Sequence, residues 1–319
     1  KDAYGASTKT FYNSYGDPLK IIYPDKGVET FVYGTNGLLL EKIDPDGIKE
    51  EYSYDPLGRM LSKKIGSNKT TYIYDAYHLI QEIDPLAIST NYSYNLPGQK
   101  IKEDRAGRAT HFSYDSLGFL SKEQRSKRKI LYKNDVLGRV LEKNIDDTLK
   151  TAYTYDEAGN ISSISKGSSV TFKYDPYNRL IEKTDEEGAK TTISYEEGEG
   201  LLIKKVSDPR GIEKLETYNA HGLLTKREIP GALLEEFSYD NNLRLFSQDH
   251  LTFSYTPQGL KTSICEAGKR TTFWTYTPGG KIHSKQNPDG TLIFYDYDDN
   301  GHIKKIGDRE FQYDALGRL

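Results

Sequence analysis

A ten-residue unit, YSYDPLGRML at residues 52–61, recurs in variant form along almost the whole chain at intervals near 20 residues. Self-similarity at a fixed period marks a repeat architecture, and it constrains this fold more than any figure of composition. The unit reads as two arms of a β-hairpin and the turn between them. Asp55 suits position i of a type I turn, Pro56 presets the φ of i+1, and Gly58 supplies the left-handed residue that closes a three-residue loop with a G1 bulge. With Pro56, Leu57 and Gly58 as the loop, Asp55 falls opposite Arg59 and Tyr54 opposite Met60. Alternation along the strands then puts an Asp/Arg pair on one face and an aromatic/aliphatic pair on the other. The same register predicts Tyr33 with Leu39, Tyr114 with Leu120, Tyr155 with Ile161, Tyr174 with Leu180, Tyr276 with Ile282 and Tyr297 with Ile303. Asp135 with Arg139, Asp175 with Arg179 and Asp314 with Arg318 repeat the charged pair.

Taking the tyrosine before the turn as marker, copies begin at Tyr12, Tyr33, Tyr54, Tyr74, Tyr94 and Tyr114, and at Asn134 where the tyrosine is lost. They continue at Tyr155, Tyr174, Tyr195, Tyr218, Tyr239, Tyr255, Tyr276, Tyr297 and Tyr313, which makes 16 copies in a single array over residues 1–319. The step from Tyr195 to Tyr218 is 23 residues and contains EEGEG, which reads as a bulge or a lengthened loop. Between copies lies a second turn signal, seen in DPDG at 44–47 and NPDG at 287–290, with weaker versions at 208–211 and 24–27. Each repeat is therefore two strands with a turn at either edge of a ribbon. Aromatics two residues before the marker, such as Phe31, Tyr72, Tyr92, Phe112, Phe172, Phe253, Trp274 and Phe311, extend the tyrosine row on its face. Asn178 and His78 stand at the left-handed glycine position, which both residue types tolerate.

Tyrosine occurs 26 times and glycine 28 times in 319 residues, against one tryptophan, one methionine and 35% apolar content. That mixture suits half-solvated strands and tight turns better than a thick core. A net charge of -3 gives no reason to expect nucleic acid as partner. The single Cys265 excludes an intramolecular disulfide framework, no run of about 18 apolar residues predicts a membrane span, and the charged opening at Lys1 is not a signal peptide. Sixteen hairpins give about 30 strands at roughly 4.8 Å spacing, a ribbon on the order of 150 Å long if flat. Sheets of that length curl or close. The expectation is an all-β fold: a continuous antiparallel sheet of tandem hairpins winding into a spiral, a single-layer wall with a hollow or partly filled interior.

The motifs YDPLGRM, YDSLGFL, NDVLGRV, YDPYNRL and YDALGRL, interleaved with DPDG turns, resemble the YD repeats of the Rhs family over essentially the whole chain. Similar repeats build the shells of bacterial Rhs polymorphic toxins and insecticidal toxin complexes, wall-associated toxins and the barrel of teneurins. The resemblance implies a hollow spiral β-shell enclosing a C-terminal toxin domain of the same longer polypeptide, secreted or at the bacterial cell surface. No core-terminating segment and no variable toxin domain follow the repeats, and the chain stops within a copy at Leu319, as expected of a fragment truncated at the C-terminus and at the N-terminus.

The expected function is a non-enzymatic scaffold without cofactor or metal, part of a shell that encapsulates and helps deliver its cargo. Its repeat positions are Tyr54, Asp55, Gly58, Arg59, Tyr114, Asp115, Gly118, Tyr155, Asp156, Gly159, Tyr174, Asp175, Asn178, Tyr313, Asp314 and Gly317. The alternative is an extracellular adhesion or carbohydrate-binding module that uses its outer wall for sugar or protein contacts; an enzyme hidden in the wall is a third. DPRG at 208–211 and DPDG at 44–47 match the letters of the autoproteolysis motif associated with Rhs toxins, but they occupy ordinary inter-repeat turns and are read as turns. Asp296, Asp298, Asn300 and Gly301 satisfy D-x-D-x-N-G, yet Gly307 stands where an EF-hand needs its bidentate Glu, so a repeat turn is expected there too. His78, His111, His221, His250, His283 and His302 show no metal-ligand spacing. The basic run 122–129, with Arg125, Lys127 and Arg128, reads as a solvated hairpin edge, and the tyrosine row as strand pairing before sugar stacking. From the turn chemistry, Gly58→Val should cost about 1–2 kcal/mol, because a β-branched residue resists positive φ; an unchanged melting midpoint would refute the assumed turn.

Overall fold

The computed structural model describes residues 5–319, so the charged opening at Lys1 lies outside the described residues. The chain forms 31 strands, from Lys9–Tyr12 to Arg309–Glu310, in one antiparallel sheet, and no helix among the described residues. Every register pairs a strand with its neighbour in the chain, as in Lys49–Tyr54 with Met60–Ile65 and then Met60–Ile65 with Asn68–Tyr74. This meander follows from the sequence, since tight turns at both ends of each strand leave no length for a crossover. The chain divides into two compact units: Lys1–Ser89 together with Phe237–Leu319, and Thr90–Glu236. The second is an uninterrupted run of hairpins, whereas the first joins the earliest hairpins to the last.

The sheet is one layer thick. Its accessible surface is 20248 Å² for 36.3 kDa, where a compact monomer of that mass would expose about 13,400 Å². Among the described residues Phe253 is the one buried apolar side chain, and none is fully enclosed. Stability therefore comes from main-chain ladders, turn capping and cross-strand pairs rather than from a core. Hydroxyl rungs recur at one repeat position, Ser53 with Ser62 at 2.7 Å, Thr154 with Ser163 at 2.7 Å, Ser238 with Ser247 at 2.6 Å and Thr275 with Ser284 at 2.7 Å.

The tyrosine registers expected from the turn are observed: Tyr54 lies opposite Met60, Tyr33 opposite Leu39, Tyr114 opposite Leu120 and Tyr155 opposite Ile161. So do Tyr174 with Leu180, Tyr276 with Ile282 and Tyr297 with Ile303. Gly58 has φ +81, and its N–H donates to the Asp55 carbonyl while the Asp55 N–H donates to the Arg59 carbonyl, which is the expected closure. Beyond it stands a second irregularity. Ser53 pairs with Ser62 while Tyr54 pairs with Met60, so Leu61 is an extra residue, and the same slip recurs before marker after marker.

Two readings of individual copies are corrected. His78 does not occupy a left-handed position: Tyr74 pairs with Leu79, the Asp75 N–H donates to the His78 carbonyl, and the turn is one residue shorter than the others. EEGEG is neither a bulge nor a long loop, because Lys190–Gly198 and Leu201–Ser207 run on as a regular hairpin through the left-handed pair Glu199 and Gly200. Tyr195 consequently pairs with Lys204 and begins no turn of the repeated kind. Asn178 does take the glycine position, with φ +63, and so does Leu243, with φ +61. Leucine has no polar side chain to relieve that conformation, so Leu243→Gly should stabilise the protein by about 1 kcal/mol, read as a higher denaturant midpoint.

Candidate functional site: the tyrosine lattice and the rims of the ribbon

Each repeated turn is organised by its aspartate. Asp55 Oδ1 accepts the N–H groups of Leu57 and Arg59 at 2.9 Å, and Oδ2 accepts Arg59 Nε at 2.7 Å. Asp135, Asp175, Asp240 and Asp314 repeat the arrangement with Arg139, Arg179, Arg244 and Arg318. Asp156 does so with Asn160, and Asp115 caps Leu117 and Phe119. Desolvation works against the Asp55 and Asp175 charges, but these hydrogen bonds overcome it and hold both carboxyls below the usual carboxylate range.

The arginine then reaches the next repeat, so the expected separation of charged and aromatic pairs onto opposite faces does not hold at the rim. The Arg59 guanidinium lies 4.6 Å from the Tyr74 ring centroid and donates to the Asp75 carbonyl at 2.9 Å. Arg139 over Tyr155, Arg179 over Tyr195 and Arg244 over Tyr255 follow at 4.7, 4.4 and 4.9 Å. The marker tyrosine reaches back in turn. Its hydroxyl donates to the carbonyl of the residue that pairs with the marker one repeat earlier, Tyr114 to Lys100, Tyr155 to Val140, Tyr174 to Ile161 and Tyr297 to Ile282, at 2.8 to 3.0 Å. Asn134, where the tyrosine is missing, donates from Nδ2 to the Leu120 carbonyl at 2.9 Å and keeps the bond. Burial raises the phenols of Tyr276 and Tyr297 above their ordinary value, which keeps them donors. Tyr155→Phe should cost about 1 kcal/mol, read as a lower denaturant midpoint with an unchanged slope.

The remaining sequence candidates fall into turns. Residues 44–48 and 208–212 close with the same carbonyl and N–H pairs as the tyrosine turns, capped by Asp44 and Asp208. Asp298 caps Asn300 and His302 likewise. Residues 126 and 127 of the basic run form a hairpin turn between Leu120–Arg125 and Arg128–Asn134. Glu216, which the sequence did not single out, is the most embedded charge of the second unit. Lys214 Nζ stands 2.7 Å from it, Lys204 Nζ and Arg227 Nε 3.5 Å, and the Tyr218 hydroxyl donates at 3.1 Å.

The ribbon has two unlike rims. At the tyrosine-turn rim of the second unit, large apolar side chains project into solvent: Leu96, Leu117 (60% exposed), Val136, Leu137 (71%) and Tyr177 (78%). Along the opposite, connector rim the tips are polar and charged, including Arg125, Lys127, Arg128, Asp146 and Asp147.

In the first unit the two rims meet. The tyrosine-type turn 277–281 sits on connector turn 44–48, where the Gly279 N–H donates to Asp46 Oδ1 at 2.6 Å and Lys281 Nζ lies 3.0 Å from Oδ2. Gly279 is required there, since a Cβ would overlap the Asp46 carboxylate. Burial opposes the Asp46 charge, yet Lys281, the Gly279 N–H and Thr277 hold its carboxyl below the usual range. One step along, Gly66 lies against Asp299 and Asn300. One step further, Ala315 and Leu316 with Asn300 and His302 line an open depression of about 260 Å³ against Lys63, Ile65, Asn68, Thr70 and Pro85. Pairs so far apart in the chain carry no local signature, which is why the sequence did not reveal this seam.

Comparison with known proteins matches this geometry. A family model described as the teneurin YD-shell matches residues 64–215. The crystal structure of TcdB2-TccC3-TEV is similar at 14% identity and a TM-score of 0.77, covering 98% of this chain and 21% of that one. TcdB2-TccC3 without its hypervariable C-terminal region matches at 15% identity and 0.59, over 97% and 20%. The Photorhabdus luminescens Tc holotoxin pore matches at 15% and 0.58, over 95% and 20%. The chain thus spans about a fifth of the length of these structures and shares their shell fold. No curated protein sequence matches it.

Proposed function

We propose, for a chain with a teneurin-type YD-shell sequence at residues 64–215 and the shell fold of the Tc proteins, the role of a non-enzymatic wall. It encloses a toxin or effector domain carried C-terminal to the repeats in the same polypeptide, one array cut from a longer shell and released from, or displayed on, a bacterial cell. The observation that carries this reading is the lattice of Asp, Arg and Tyr. It links successive hairpins along the rim with almost no core, so the sheet can be extensive and one residue thick. Such a wall acts by exclusion: its ladders leave no gap for a protease, and it offers cargo a surface rather than a specific pocket. The match persists in the structures named TcdB2-TccC3-TEV and TcdB2-TccC3-Cdc42 and in one without the hypervariable C-terminal region, as suits a wall indifferent to what it holds.

The test is protease challenge of the complete product of the gene, with the repeats intact and with the turns opened by Gly58→Val and Gly138→Val. Survival of the non-repeat segment only behind intact repeats supports the container. Digestion at equal rates in both would refute it and favour the surface-binding module, for which glycan and receptor binding would be measured next.

A further inference from the structure

The rim contact of the first unit supplies a template for the bare rims of the second. At the end of the seam, the turn bearing Leu316, two residues after Asp314, lines one side of a depression whose other side is formed by two directly opposed pairs, Lys63 with Thr70 and Ile65 with Asn68. In the second unit the equivalent pairs, Glu123 with Ile130 and Arg125 with Arg128, together with Thr110, floor an open depression of about 310 Å³ beside the connector turn at 126 and 127. The position of Leu316 is occupied in that unit by Leu117, two residues after Asp115, and by Leu137, two residues after Asp135, both projecting into solvent.

We propose that the connector-rim depression of residues 110–130 receives the tyrosine-turn rim bearing Leu117 and Leu137 of a second copy of this chain, head to tail. The chemistry on both sides fits. Leucine tips meet Ile130 and the aliphatic stems of Arg125 and Arg128, whose charged heads stay in water. On the rim that carries the leucines Asp135 is paired with Arg139, and Asp115, which has no such arginine, is held by the Leu117 and Phe119 N–H groups and the Asn134 amide and meets the Arg125 and Arg128 heads with opposite charge. Successive tips lie two strands apart, about 10 Å, which is the spacing of successive connector turns on the receiving rim, so several contacts form in one register. The association is heterologous, using different surfaces on the two copies, so it builds a ring or an open filament according to the rotation between them. It does not depend on whether the wall holds cargo.

The experiment is sedimentation velocity over a wide concentration range on the chain and on two double variants. Leu117→Glu with Leu137→Glu disables the donating rim; Arg125→Glu with Arg128→Glu disables the receiving one. Each is expected to weaken self-association by at least about tenfold, and their equimolar mixture to give a 1:1 pair and nothing larger, since one intact rim remains on each partner. All substituted side chains are exposed, so the melting midpoints should stay near that of the parent. Leu117→Ser with Leu137→Ser serves the same purpose if the glutamates unsettle the turns. A parent chain that is monomeric at every concentration overturns the proposal. So does an Arg125/Arg128 variant that still dimerises alone, or a mixture that forms no pair.

Discussion

Asp46→Ala is expected to destabilise the first unit by about 2 kcal/mol. The carboxylate is only 11% exposed, and it receives the Gly279 N–H and the Lys281 ammonium from a segment more than 200 residues away. Its removal leaves the Gly279 N–H and the partly exposed Lys281 ammonium without their acceptor at a contact that solvent reaches only in part. Asp289 is the matched control. It occupies the same place in NPDG as Asp46 does in DPDG, but it is exposed and bonds only within its own turn, so Asp289→Ala should leave the midpoint close to that of the parent. Equal loss in the two variants would show that Asp46 acts through its turn and not through the seam.

Glu216→Leu should cost about 2–3 kcal/mol at neutral pH, a figure reduced from that of a fully buried pair because one layer of sheet leaves water close by. The substitution takes the shared carboxylate from Lys204 and Lys214 and from Arg227, which keeps its pair with Glu235. The effect is tied to pH. Burial works against the Glu216 charge, but Lys214, Tyr218 and Lys204 outweigh it and hold the carboxyl down at about 2, below its ordinary 4.5. A folded-state value below the unfolded one means that the stabilisation is complete above about pH 4.5 and is lost as pH falls toward 2. Chemical denaturation of parent and variant should therefore give midpoints well separated at pH 7 that converge toward pH 2. A separation that persists at low pH would assign the loss to packing instead of charge.

What could be read from the residues was whatever turn chemistry dictates. Asp55, Pro56 and Gly58 set one loop geometry, and that loop sets which residue faces Tyr54, so the registers were legible from end to end. The extra residue at Leu61 was not, because a bulge one step beyond the turn needs no particular side chain there. His78 misled because letters were aligned where the backbone had simply dropped a residue. In EEGEG the glycine at 200 closed a two-residue turn, and spacing alone could not tell longer strands from a longer loop. The charged pairs at Asp55 and Arg59 were visible as pairs, but the reach of Arg59 to Tyr74 depends on the twist between hairpins, which one repeat read alone does not contain. Asp46 and Glu216 looked like any other surface acid, since what distinguishes them is their neighbours in space.

The seam also places a limit on how such a gene can change length. Turn 277–281 meets turn 44–48, and the steps on its two sides run in parallel, with 298–302 reaching Gly66 and 314–318 approaching Pro85. The three contacts therefore stay in step only while the count of hairpins within the first unit, on either side of the seam, is kept. Duplication or loss of one repeat there would leave every local turn intact, yet would slide the seam by a full notch and bring proline, acid and glycine opposite the wrong partners. Drift within repeats is cheap and change in their number is not, so homologous seams should differ freely in letters while conserving this tally.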